Sequence, residues 1–220
     1  MTREMKLGRA APKSGTVKSA VIFLHGYGAD GDDLLGLAEP LGEHLPDTLF
    51  LAPDAPEECI TNPFGRQWFP IPWLDESSPE DAAAGLAQSS KDLNAFLDKV
   101  MEDEGLTASQ IVVFGFSQGT MMALQVIPRR AEAFAGIIGF SGRLLRPDAL
   151  AEEVLTKPPV LLAHGNTDQI VPFSDLQKTA EALQEAGFQV YAHVMEGTGH
   201  GISPGGLGTA LSFLSEYLPS

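Results

Sequence analysis

The chain has 220 residues, 44% of them hydrophobic, enough for one substantial core and suited to a single α/β domain spanning residues 1–220. With 14 basic against 29 acidic residues its formal charge is −15, which repels phosphate backbones and anionic lipid surfaces and argues against nucleic-acid partners. The single cysteine, Cys59, excludes an internal disulfide and argues against a thiolate metal cluster; with no signal-like apolar start and no apolar run of membrane-spanning length, a cytoplasmic protein without integral membrane association is expected.

Short apolar runs bounded by Gly, Pro and Asp alternate with longer stretches of helical period, the pattern of a mainly parallel sheet with helices on both faces. In chain order the spacing predicts a strand over 20–24, a helix over 32–45, a strand over 48–52 and a helix over 79–104. A strand over 111–114, a helix over 117–127 and a strand over 134–140 follow. The order ends with a strand over 160–163, a helix over 174–186, a strand over 190–194 and a helix over 204–218. Ser174 stands where a helix is capped and Gly187 where one ends. Residues 59–78 break the alternation: Pro63, Pro70 and Pro72 lie among Phe64, Trp68, Phe69, Ile71, Trp73 and Leu74, which predicts a long ordered loop that covers something.

The most informative segment is Gly115-Phe116-Ser117-Gln118-Gly119, set between the apolar run 111–114 and the helical run 120–127. A strand, a tight turn and a helix with serine at the apex form a nucleophile elbow, in which glycines two before and two after the serine avoid collisions. A serine attacks an ester at neutral pH only with a base and an orienting carboxylate. Asp168 follows the strand 160–163 and His200 follows the strand 190–194, giving the order Ser117, Asp168, His200 that is found in α/β hydrolases.

Competing readings are separated by context. Gly139-Phe140-Ser141 repeats the start of the motif, but Arg143 stands where the last glycine should be, so Ser141 reads as structural. His25 and His164 each precede a glycine at a strand end, where they brace loops; His193 lies within strand alternation and His44 on a charged helix end. Asp175, the rival acid, falls inside a helix and points away. Gly26, Gly28 and Gly31 also spell a dinucleotide fingerprint, with Asp54 as a ribose-binding acid, the signature of an oxidoreductase. That reading leaves Ser117, Asp168 and His200 without a role. Asp30, Asp32 and Asp33 are too closely spaced for a calcium loop and suit a helix start instead.

Four blocks carry a resemblance to a known family: 23–31 (Phe-Leu-His-Gly-Tyr-Gly-Ala-Asp-Gly), 115–119, 164–172 (His-Gly-Asn-Thr-Asp-Gln-Ile-Val-Pro) and Gly199-His200. Together the chain resembles the phospholipase/carboxylesterase family of α/β hydrolases, which includes bacterial carboxylesterases and acyl-protein thioesterases. The resemblance implies an α/β-hydrolase fold and a serine carboxylesterase without cofactor or metal, acting on small-molecule esters or thioesters of small to medium acyl groups. The alternative within the family is a thioesterase or lysophospholipase acting on longer chains. It assigns Ser117, Asp168 and His200 as nucleophile, acid and base, and the backbone N–H groups of Tyr27 and Gln118 as the oxyanion hole. It also places Trp68 and Phe69 in a loop lining the acyl site; Trp73, in the same aperiodic aromatic stretch, and Arg143, at the pocket wall, are expected to bind substrate with them. Arg143 stands where many relatives have an aromatic residue, and the stretch 69–73 departs from thioesterases acting on long acyl chains. A homodimer is compatible with the resemblance.

Overall fold

The computed structural model of the chain describes residues 2–219. Its strands are β1 (Leu7–Ala10), β2 (Ser19–Leu24), β3 (Thr48–Pro53), the short pair β4 (Glu57–Glu58) and β5 (Arg66–Gln67), β6 (Ile111–Phe116), β7 (Gly136–Phe140), β8 (Val160–Gly165) and β9 (Val190–Met195). The helices are α1 (Gly31–Leu35), α2 (Ala38–Gly42), α3 (Pro72–Asp75), α4 (Pro79–Glu104), α5 (Gln118–Val126), α6 (Pro147–Glu153), α7 (Ser174–Glu185) and α8 (Pro204–Tyr217). Seven strands form one sheet in the order β1-β3-β2-β6-β7-β8-β9, with β1 antiparallel to β3 and every other neighbour parallel.

The central strands are apolar on both faces because each lies between two helical layers. On β2, Ala20, Ile22 and Leu24 join one core with Leu93, Leu97 and Val100 of α4 and Met121 and Leu124 of α5. Val21 and Phe23 join the opposite core with Leu34, Leu41, Phe213 and Leu214 of α1, α2 and α8. A row of rings crosses four adjacent strands in this second core: Phe50, Phe23, Phe114 and Phe140, with neighbouring centroids 5.9, 5.2 and 5.1 Å apart. Helix α5 is buried along its whole length, which makes it the most enclosed helix and a rigid platform for the residue that precedes it.

Helix α4 has the expected limits for legible reasons. Ser78 caps it and Asp81 completes a capping box, Pro79 occupies a first-turn position that needs no N–H, and Gly105 ends it at φ 65°. The expected helix over 32–45 is instead two short ones. Pro40 has no N–H to give, and its ring conflicts with the carbonyl four residues back, so one continuous helix cannot pass. Strand β1 and helix α6 are additional elements; β1 is four half-exposed residues at the sheet edge and carries too little alternation to be read. Ser174 does not cap α7: Phe173 holds the cap position and no side chain closes it, whereas Gly187, at φ 86°, does end that helix. The ordered stretch 59–78 carries two short regular elements, β5, which pairs with β4 just before it, and α3.

The direction of winding reverses between β2 and β6, and the crevice outside the carboxyl ends of such strands is where α/β sheets place their sites. The turns after β2, β6, β7, β8 and β9 all open there.

Candidate active site

The turn after β6 is as tight as its glycines imply. Ser117 sits at φ 53°, ψ −113°, a conformation that costs a non-glycine residue roughly 1–3 kcal/mol and persists only where the surroundings impose it. The surroundings are backbone: a Cβ on Gly119 would lie 1.8 Å from the Leu24 carbonyl oxygen, and one on Gly115 would lie 2.4 Å from the Thr120 nitrogen. The Ser117 N–H donates to Phe140 O at 2.8 Å, tying the apex to β7. A serine before a helix ordinarily caps it, yet the Ser117 side chain makes no capping hydrogen bond. The hydroxyl is therefore not consumed by the helix that it begins.

The turn after β8 holds Asp168, whose side chain has no exposed surface. Its Oδ1 accepts the Ile170 and Val171 N–H groups at 2.8 and 3.0 Å, and its Oδ2 lies 2.8 Å from His200 Nδ1. Burial pushes the Asp168 carboxyl up, but the hydrogen bonds from His200, Ile170 and Val171 outweigh it and hold it below the usual carboxylate range. Because Asp168 can only accept, His200 carries its proton on Nδ1 and leaves the Nε2 lone pair available. The His200 ring packs on Phe116, the residue before Ser117, with centroids 4.9 Å apart.

The loops carrying the acid and the histidine are sewn together. Thr167 N–H donates to Thr198 O at 3.1 Å, Asn166 Oδ1 accepts the Gly197 N–H at 2.8 Å, and Asn166 Nδ2 donates to Glu196. Gly165 is required here, because a Cβ would lie 2.2 Å from the Thr198 carbonyl oxygen.

The turn after β2 passes against the serine: a Cβ on Gly26 would lie 3.3 Å from Ser117 Cβ. His25 shapes this turn. Its Nε2 accepts the Ala55 N–H at 2.9 Å, which leaves the proton on Nδ1 to donate to Gly26 O at 2.7 Å. Burial lowers the His25 pKa, against smaller raising contributions from Gly26 and nearby aspartates, so the ring stays neutral as this pattern requires. Tyr27 donates its hydroxyl to Asp75 Oδ2 at 3.0 Å, and burial raises its pKa, keeping the phenol protonated. The Gln118 N–H is among the first donors of α5, which have no partner within the helix.

Sequence reasoning expected Trp68 and Phe69 in the wall of the site; both are buried, Trp68 completely. Trp68 N–H donates to Gln118 Oε1 at 2.9 Å, its indole donates to His25 O at 3.0 Å, and Gln118 Nε2 donates to Phe69 O at 2.7 Å. A ring without accessible surface cannot meet a ligand, so Trp68 fastens the loop to the turns after β2 and β6. The Gln118 side chain is a participant that sequence reading missed, since its partners lie about fifty residues away.

Trp73 and Arg143 do reach the surface. Trp73 is 58% exposed, the Arg143 guanidinium carbon stands 4.6 Å from its ring centroid, and Arg143 Nη1 is 3.3 Å from Asp175 Oδ2. With Ile170, Val171 and Pro172 they line a cavity of about 290 Å³ beside the Asp168 turn. Asp175 is thus engaged with Arg143 and, at 3.5 Å, with Lys178, rather than with His200.

The glycines of the nucleotide fingerprint have other uses. A Cβ on Gly31 would lie 2.4 Å from the Ala52 carbonyl oxygen, and Asp54 Oδ1, the supposed ribose ligand, accepts the Gly31 N–H at 2.9 Å. Asp30 caps α1, with Asp32 and Asp33 in its first turn. Among the described residues no group of three or more His, Cys, Asp or Glu side chains is arranged to hold a metal ion, and no helix is long and apolar enough to cross a membrane.

Residues 9–218 match a family described as phospholipase/carboxylesterase. Acyl-protein thioesterase 1 of Neurospora crassa is 31% identical over 216 residues, covering 91% of this chain and 87% of that protein. A probable carboxylesterase of Oryza sativa subsp. japonica is 30% identical over 214 residues, covering 91% of this chain and 78% of that protein. The crystal structure of esterase PE8 superposes with a TM-score of 0.93 at 40% identity, covering 98% of this chain and all of the other.

Proposed function

The chain belongs to the phospholipase/carboxylesterase family of α/β serine hydrolases, and on that premise we propose that it is a carboxylesterase in which Ser117 is acylated with help from His200 and Asp168. The observation that carries this reading is the His200 Nδ1 to Asp168 Oδ2 contact of 2.8 Å on a ring packed against Phe116, next to a strained serine whose hydroxyl caps nothing.

In this mechanism His200 Nε2 takes the Ser117 proton as Oγ attacks the ester carbonyl carbon, and Asp168 stabilises the imidazolium that forms. The Gln118 and Tyr27 N–H groups receive the oxyanion, with His25 fixing the turn that presents Tyr27. His200 then protonates the leaving alcohol, and the acyl-enzyme remains. Water, deprotonated by the same imidazole, attacks the acyl carbon, and the acid departs as Ser117 regains its proton. No cofactor enters this scheme. Trp73, Arg143 and Ile170 flank the acyl group, and a half-exposed wall of this size suits small to medium acyl chains.

A second reading, cleavage of acyl-protein thioesters, is supported by the thioesterase named among the relatives at 31% identity. The 40% identity to an esterase structure favours the ester reading. Stoichiometric labelling of Ser117 by a fluorophosphonate, abolished in Ser117→Ala together with a roughly thousandfold or greater loss of aryl-ester turnover, is the expected result. Labelling elsewhere, or near-full turnover in that variant, overturns the assignment. A panel of matched esters and thioesters of graded chain length then separates the two readings.

A further inference from the structure

His164 is a buried histidine that the scheme above does not use. It is the penultimate residue of β8, four residues before Asp168, and is 1% exposed. Its Nε2 lies 3.0 Å from Val171 O and 3.3 Å from Asp168 Oδ2. A carbonyl and a carboxylate can only accept, so Nε2 carries the proton, donating it to Val171 O with its positive edge toward Oδ2. The Phe173 ring packs edge-on against the imidazole with centroids 6.1 Å apart, which fixes the ring plane.

We propose that His164 is a positioning residue that holds the Asp168 carboxylate in the one rotation that serves His200, an inference resting on the roles assigned to Asp168 and His200 above. Three donors converge on this carboxylate, the Ile170 and Val171 amides on Oδ1 and the His200 ring on Oδ2, and the His164 Nε2–H edge stands 3.3 Å from Oδ2. The amides anchor Oδ1 from one side only. His164 acts from the other side: by gripping Val171 O it holds the strip of backbone from which the Val171 N–H reaches Oδ1, and its N–H edge, 3.3 Å away, lies against the oxygen that His200 uses. His200 sits in a loop with its side chain 20% exposed, so it depends on an acceptor that keeps its aim while the ring tilts between serine and leaving group.

The test has two arms. In the unmodified protein, nitrogen-15 spectra of labelled histidines are expected to show His164 with its proton on Nε2; a bare Nε2 overturns the proposal without any variant. In the second arm, His164→Leu fills the space without a donor and His164→Gln restores a donor amide. The leucine variant is expected to lower kcat about three- to tenfold with KM nearly unchanged, the worth of one buried hydrogen bond. It is also expected to shift the downfield Nδ1–H resonance of His200, and glutamine to recover most of both. A folded leucine variant with undiminished kcat and an unmoved His200 resonance overturns the proposal. Loss of turnover in His200→Ala and Ser117→Ala alongside that result would leave the assigned site standing; full turnover in those two variants would instead remove the site itself.

Discussion

Two strand ends in this molecule begin with the same tripeptide and finish differently. Gly115-Phe116-Ser117 and Gly139-Phe140-Ser141 lie on adjacent parallel strands in register, Gly115 beside Gly139 and Phe116 beside Phe140. Both serines have positive φ, 53° and 48°. Thr120 serves both: its hydroxyl lies 2.9 Å from Gly115 O and 2.8 Å from Phe140 O, so one proton is shared across the two strands. Beyond this point they diverge. After Ser117 the chain enters α5, crossing the Leu24 carbonyl so closely that only Gly119 fits, and the serine keeps 8% of its surface. After Ser141 no helix starts, Arg143 swings out to Trp73 and Asp175, and the serine is sealed, its hydroxyl without a partner among the described residues. Strain at a strand end is thus not sufficient to leave a serine hydroxyl accessible; the following helix and its distance from the neighbouring strand decide.

The sharpest way to break this contrast is Gly119→Ala. A methyl group 1.8 Å from a main-chain oxygen cannot be relieved by a rotamer, so a loss of at least about 3 kcal/mol in denaturant unfolding, or failure to fold, is expected. An unchanged unfolding midpoint would mean that α5 does not cross β2 this closely. A smaller effect belongs to the fifth position of the other copy. Arg143→Ala opens the cavity under Trp73 and is expected to raise kcat/KM for longer over shorter acyl esters about tenfold, while the lost cation–π contact costs only about 0.5–1 kcal/mol of stability. An unaltered chain-length profile would detach that cavity from the proposed acyl site. Least of all is expected from Ser141→Ala, which removes an unpaired buried hydroxyl: stability within about 0.5 kcal/mol and turnover within about twofold. A large loss of turnover there would make the two serines more alike in function than their settings imply.

Most of what positions the candidate site is readable because it is written locally. The glycines at 115 and 119 declare a tight turn, the apolar runs declare buried strands, and the order of Ser117, Asp168 and His200 follows the loops in which the strands end. Pro40 was also in plain view, but its effect depends on the register of the preceding turn, which periodicity over 32–45 overrode. What could not be read is what joins distant segments. The Gln118 side chain finds Trp68 and Phe69 across about fifty residues, and Asp75 finds Tyr27 across forty-eight. Aromatic residues in a proline-rich stretch carry no mark of whether they face a cavity or a core, and Trp68 and Trp73, five positions apart, do one each.

The double grip of Gln118 on Trp68 and Phe69 has a consequence for how this scaffold can diversify. One residue both begins the platform helix and rivets the neighbouring loop, so the stretch up to Phe69 cannot drift without disturbing the helix start itself. Four residues further on the constraint loosens: Trp73 and Leu74 face water. Variation that retunes what enters the cleft is therefore free to accumulate on the outer half of that loop, while its inner half stays as fixed as the strands.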